Sequence, residues 1–296
     1  MFLVLGNVAV DETMSTPTLP APGATVLVGP PQRDLGGKGA NQAIILHRAV
    51  RDVRFVATIG DDDAARWIIG TLAEEGLDIS HLVTIAGASD RSTIFVGPDG
   101  DNAILSTSHC SDALTPVHAE AAVNAALAGD ILLLQGGLTV ESNRAAVAAA
   151  KARGLRIAFN PSAVRPGYEN LLGGLDLVVV NAGEATELVG EGDPIEQAGR
   201  FVALGVGDAV VTLGMGGSVS AGRGGRHAVS AISVTTRDTT GAGDTYLGVL
   251  AAALFARSAP MPLAMQRASA AAAVTVTRPG TRDAFPTAAE LADILG

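Results

Sequence analysis

The stretch RDTTGAGDTYLG sets two aspartates, Asp238 and Asp244, around a Gly241-Ala242-Gly243 core and then runs straight into an apolar sequence of helical character. Glycine is a poor helix former, so at a helix entrance it serves backbone shape or the close approach of a ligand. Unsatisfied N–H groups near Ala242, Gly243 and Asp244 would attract an anion through the aligned helix dipole. An acid beside an anion site makes chemical sense if it faces a hydroxyl. Asp244 would then accept the proton of a hydroxyl that attacks a phosphoryl group held over the glycines. The plainer reading of the same residues is a first-turn acid after a glycine turn. A second glycine-rich helix entrance, GGKGANQA at 36–43, adds a lysine and an asparagine and favours the chemical reading.

Such residues need a scaffold that gathers them. Short apolar runs, FLVLG, VRFVATIG, DILLLQGG, LRIAFNP, LDLVVVN and DAVVTLG, each end in Gly, Asn or Pro. They read as strands covered on both faces, as in a parallel sheet. Ala-rich stretches between them, ESNRAAVAAAKARG and DPIEQAGRFVALG, read as helices that close on glycine. This alternation predicts an α/β layered fold. Ligands of such sheets bind beyond the carboxyl ends of the strands. Asp11, Asn160, Asn181 with Glu184, and Thr212 all fall there. Segments 8–35 and 92–107 break the rhythm and are expected to form a small antiparallel sheet outside the main body, the second folding around a Gly-Pro-Asp-Gly turn. Asp61–Asp63 precede a helical run and read as its cap and first-turn acids.

DLGGKGANQA and DTTGAGDTYLG resemble the two signatures of the ribokinase/PfkB family of sugar kinases, and NAGE resembles that family's Asn-x-x-Glu element, in the right order along the whole chain. The resemblance implies a ribokinase-like three-layer α/β sandwich: one kinase domain over 1–296, with a central mainly parallel sheet and a small β-sheet lid. It implies an ATP-dependent phosphotransferase acting on a primary hydroxyl of a small sugar, with ribose the leading candidate. Asp244 matches the catalytic base, and Gly241, Ala242 and Gly243 match the anion hole. Asp11, Gly37, Lys38 and Asn41 match sugar-binding positions. Asn181 and Glu184 match the element that organises phosphate, Mg²⁺ and water, and Thr212 and Gly214 fall where the family binds nucleotide. Asp238, Thr240, Thr275, Arg278 and Gly280 match a loop pair that binds a monovalent cation, K⁺, as activator.

Two positions depart from the ribokinase pattern. Ala9 stands where ribokinases have Asn, and Gly137 stands where they carry a Glu that binds ribose. Asn7 shares a strand face with Ala9 and Asp11 by two-residue alternation and is expected to compensate in part. A different sugar, a nucleoside, or a non-catalytic binding protein on the same fold are the alternatives.

Other classes fit less well. A formal net charge of −10 and 3% aromatic residues disfavour nucleic-acid binding. No apolar run has membrane-spanning length, the N-terminus lacks a basic leader region, and the lone Cys110 permits no intrachain disulfide. Together these predict a cytoplasmic enzyme with small-molecule partners; exposed lid strands also suggest a homodimer. GGKGA lacks the spacing and the Ser or Thr of a Walker A loop, and His109-Cys110 has no partner cluster that would make it a metal site.

Overall fold

The computed structural model describes residues 1–19, 21–23, 25–97 and 102–296, the side chain of Asn102 excepted. The strands are β1 (Phe2–Leu5), β2 (Ala9–Ser15), β3 (Gln32–Gly36), β4 (Val53–Ile59), β5 (Leu82–Thr84), β6 (Arg91–Val96) and β7 (Asn102–Ser106), then β8 (Ile131–Gln135), β9 (Arg156–Asn160), β10 (Leu177–Asn181), β11 (Asp208–Thr212), β12 (Ser218–Gly222) and β13 (Gly225–Val229). Nine of them form one sheet in the order β13-β12-β11-β10-β9-β8-β1-β4-β5. It is parallel from β11 to β5, with β12 and β13 added antiparallel at one edge.

Alternation along each central strand feeds two cores. Phe2 and Val4 of β1 pack into one, Leu3 and Leu5 into the other. Helices Lys38–Val50, Asp63–Glu74, Ala242–Ala251 and Met261–Val276 cover the first face. Helices Pro116–Asn124, Val140–Arg153, Ala182–Val189 and Pro194–Ala203 cover the second. This is the α/β layering that the βα alternation predicts, in the three-layer form that the resemblance implies. The Asp62 side chain caps Asp63–Glu74 by accepting from Ala65 N–H, as the Asp61–Asp63 run suggests.

The remaining strands form a separate sheet, β3-β2-β6-β7. It departs from the antiparallel expectation in one respect: β2 and β6 pair parallel, while β2–β3 and β6–β7 are antiparallel. Each pair is a hairpin, and the two hairpins lie side by side through their first strands. Those strands leave the body in the same direction, so they run parallel. Positions 98–101, most of the expected Gly-Pro-Asp-Gly turn, lie outside the described residues. Among the described residues no helix is long and apolar enough to cross a membrane.

Candidate active site

Helix Lys38–Val50 starts on Gly37, whose φ is 91°. Three glycines let this start press against the link between β1 and β2. A Cβ at Gly37 would stand 2.7 Å from Val8 Cα, one at Gly39 would stand 2.6 Å from Asn7 N, and one at Gly36 would overlap the Asp11 carboxyl. Ala40 N–H donates to Asn7 O at 3.0 Å, which locks the approach.

Helix Ala242–Ala251 lies beside this helix, close enough that a Cβ at Gly248 would stand 2.7 Å from Ile45 Cγ2. It begins on Gly241, whose φ of 74° is left-handed. A Cβ there would stand 2.5 Å from the Phe285 ring, so both backbone shape and space require glycine. Nothing lies within 4 Å of the Cβ position of Gly243. Space is thus open beside the first turn of this helix at Gly243, while Ala242 N–H donates to Thr239 O at 3.3 Å.

The two entrances converge on Asp244, which is 5% exposed. Asn41 Nδ2 donates to its Oδ2 at 2.9 Å and Gln42 Nε2 to its Oδ1 at 2.8 Å. Donors on both oxygens fix the rotation of the carboxylate. Asp11 and Asn41 each keep one buried side-chain oxygen, Oδ1, without a hydrogen-bond donor among the described residues. Burial pushes the Asp11 carboxyl up to about 6; the Ser92 hydroxyl opposes this, the Asp34 and Asp244 charges add to it, and Lys38 pulls it back. Asp11 faces both Asp34 on β3 and Ser92 on β6 across the second sheet. Lys38 forms no ion pair among the described residues.

Asn181 and Glu184 form a capping box at the start of helix Ala182–Val189: Asn181 Oδ1 accepts from Glu184 N–H and Glu184 Oε2 from Asn181 N–H, each at 2.9 Å. The other Glu184 oxygen accepts no bond among the described residues. Thr212 ends β11 and donates to Val180 O at 3.3 Å; Gly214 follows with φ 57°. These four residues sit together at the carboxyl ends of β10 and β11, which pair Asn181 with Thr212.

The residues expected to hold a cation also gather. Asp238 accepts from Thr240 N–H at 2.9 Å and from Gly280 N–H at 3.0 Å, which ties the two loops together. Thr275 is fully buried and its hydroxyl pairs with that of Thr245 at 2.9 Å. The Arg278 guanidinium is turned to Glu290, whose carboxyl it holds down at about 2. Any contribution of Arg278 to a cation is therefore through its backbone.

Three features escape a reading of motifs. Gln42 and Gln135 are buried polar residues with partners distant in sequence. Asp34 accepts from Thr281 N–H at 2.6 Å and so ties β3 to the loop after Gly280. Asn7 occupies the room beside Gly137, where a Cβ would stand 2.8 Å from Asn7 Cγ, and accepts from Gly39 N–H at 3.2 Å. The charged hollow between Arg48, Glu75 and Arg282 lies behind the Phe285 ring that presses on Gly241, and its charges pair with one another.

A model described as "pfkB family carbohydrate kinase" matches residues 4–288. Among curated proteins, a ribokinase of Haemophilus influenzae is 29% identical over 99% of this chain and 97% of its own length. A deoxyribokinase of Salmonella typhi is also 29% identical, over 96% of this chain and 94% of its own. Among solved structures, ribokinase from Thermotoga maritima superposes with a TM-score of 0.89 at 26% identity, covering 99% of this chain and 98% of that one. Arabidopsis thaliana ribokinase complexed with ribose and ATP does so with a TM-score of 0.88 at 26% identity and the same coverage.

Proposed function

The chain belongs to the pfkB family of carbohydrate kinases, phosphotransferases that act on sugar hydroxyls, and from that premise we propose that it transfers the γ-phosphoryl group of ATP to the primary hydroxyl of ribose, giving ribose 5-phosphate. The observation that carries the reading is the buried Asp244 carboxylate, held by two amides at the entrance of a helix whose first turn has open space beside Gly243. The unpartnered Asp11 and Asn41 oxygens support a polyol ligand, because sugar hydroxyls are the donors they lack. The similarity to ribokinases supports ribose.

In this reading Asp11, Asn41, Lys38 and the Gly37 backbone orient the sugar. Asp244 takes the hydroxyl proton as the sugar oxygen forms its bond to the γ-phosphorus. The bond to the β,γ-bridging oxygen breaks and ADP leaves. Amides at Gly241, Ala242 and Gly243 stabilise the charge on the moving phosphoryl oxygens. Asn181, Glu184, Thr212 and Gly214 hold the nucleotide side. Asp238, with the Thr240 and Gly280 loops drawn onto it, fits a monovalent cation that would stiffen the anion hole. Mg²⁺ would enter with the nucleotide phosphates and offset their charge, with Glu184 reaching it through water.

Asp244→Asn is expected to lose at least roughly 10²–10⁴-fold in kcat, measured as ADP release with ATP, Mg²⁺, K⁺ and ribose. A loss under about threefold would remove Asp244 from the role of base.

A second reading keeps the enzyme and changes the sugar. Asn7 sits against Gly137, and Ala9 is apolar and buried, so the pocket wall offers one amide where ribokinases present an Asn and a Glu. Fastest turnover with deoxyribose, fructose or a nucleoside in an acceptor panel would favour it over ribose. The second sheet, on segments 8–35 and 92–107, serves in either case as the lid over the sugar and as the contact of a homodimer.

A further inference from the structure

The Asp244 carboxylate terminates a line of buried amides. Gln42 Nε2 donates to Asp244 Oδ1 at 2.8 Å, and Gln135 Nε2 donates to Gln42 Oε1 at 2.8 Å. Both glutamines are fully buried. The direction of the line follows from its end. An ionised carboxylate only accepts, so Gln42 must turn its Nε2 toward Asp244; its Oε1 then faces Gln135, which must present Nε2 in turn. The second proton of Gln42 Nε2 points at Asn160 Oδ1, 3.5 Å away, and Asn160 is itself held by its Nδ2 on Val179 O at 2.9 Å.

This direction leaves a loose end. Gln135 Oε1 is buried with no donor among the described residues. It presses on Gly6, where a Cβ would overlap it. A buried acceptor without a partner destabilises a fold, and an apolar side chain of the same length would relieve it.

We propose that Gln42 and Gln135 are positioning residues for phosphoryl transfer: Gln135 fixes the orientation of the Gln42 amide, and Gln42 holds the Asp244 carboxylate aimed at the sugar hydroxyl. Gln42 acts through Asp244, and Gln135 acts through Gln42. Asn41 grips the other carboxylate oxygen, so the two neighbouring amides clamp the base against rotation. The inference rests on Asp244 being the base of the proposed kinase.

Two near-isosteric variants separate this role from a structural one. Gln42→Glu keeps an acceptor for Gln135 but puts a carboxylate oxygen where the donor to Asp244 was. It is expected to lose about 10–10²-fold in kcat, the worth of a hydrogen bond to a charged group. The sugar KM stays within about threefold, since an interaction specific to the transition state is removed. Gln135→Met removes the unpartnered oxygen together with the orienting donor. It removes the unpartnered Gln135 Oε1 but leaves Gln42 Oε1 without its donor, so the two buried acceptors offset and Tm stays near that of the parent, while kcat falls by roughly 3–10-fold, the worth of one net neutral hydrogen bond. A purely structural role would lower Tm and kcat together.

Gln42→Glu within about threefold of the parent kcat overturns the proposal. So does Gln135→Met with parental kcat, and that measurement decides the matter if Gln42→Glu does not fold. A parent that turns over no sugar overturns the kinase reading and this one with it. A parent that turns over, an inactive Asp244→Asn and an unaffected Gln42→Glu overturn this one alone.

Discussion

Asp11 ties the pocket to pH. Its folded carboxyl sits at about 6 against an ordinary 3.8, raised chiefly by burial. The folded protein therefore keeps a proton that the unfolded chain releases between these values. Stability from this group is fully present below the unfolded value and is lost as pH rises through the folded one. Asp11→Asn is expected to match the parent at pH near 4 and to exceed it at pH near 8 by on the order of 2 kcal/mol in urea unfolding. Sugar binding has the opposite demand. Hydroxyl donors prefer the ionised carboxylate, so the sugar KM of the parent should rise as pH falls through about 6, while Asp11→Asn gives a weak, flat KM. A parental KM that is flat across this range would remove Asp11 from the sugar contacts. A KM that rises in this way would show Asp11 giving up fold stability at neutral pH in favour of binding.

Among elements, helix Ala242–Ala251 offers the sharpest contrast, since two glycines of its entrance meet opposite surroundings. Gly241 has a left-handed φ and the Phe285 ring against it. Gly241→Ala should lower stability by about 1–3 kcal/mol and activity with it. Gly243 has open space and lies inside the helix. Gly243→Ala should hold or raise Tm, as alanine is the better helix former by up to about 1 kcal/mol. Its kcat should nonetheless drop, because the new methyl stands where the phosphoryl group would pass. A Gly243→Ala enzyme with parental kcat would show that no ligand approaches there.

The glycine entrances, the central strands and the polar residues at the strand ends were legible because each writes a local signal. An apolar run stops at Gly or Asn, or a glycine stands where a helix must begin. The parallel pairing of β2 with β6 carried no such signal, since it joins two hairpins through contacts that neither hairpin encodes. Gln42 was illegible for a related reason. A glutamine on a helix reads as surface, and only Gln135 and Asp244, both far away in sequence, make it a core residue. Asp34 became meaningful only beside Thr281. Asn7 was legible as a neighbour of Ala9 on one strand face; that it fills the room beside Gly137 was not.

At the scale of the molecule, the lid sheet ends in β7, an edge strand that exposes Ile104 and Leu105 on opposite faces. Such an edge invites pairing. Sedimentation of the 29.7 kDa chain at micromolar concentration is expected to show a dimer, and Leu105→Lys to shift it toward monomer. A parent that stays monomeric would sink the lid contact. The other whole-molecule feature is the span of the bonds that close the site: Asp34 to Thr281, Asn41 and Gln42 to Asp244, and Arg48 to the carbonyls of Arg282, Phe285 and Pro286. Each joins a residue between 34 and 48 to one between 244 and 286. A growing chain on the ribosome can thus complete its first strands and helices before these partners have been made. A chain cut short of residue 244 is therefore expected to release no ADP, however well its early half folds.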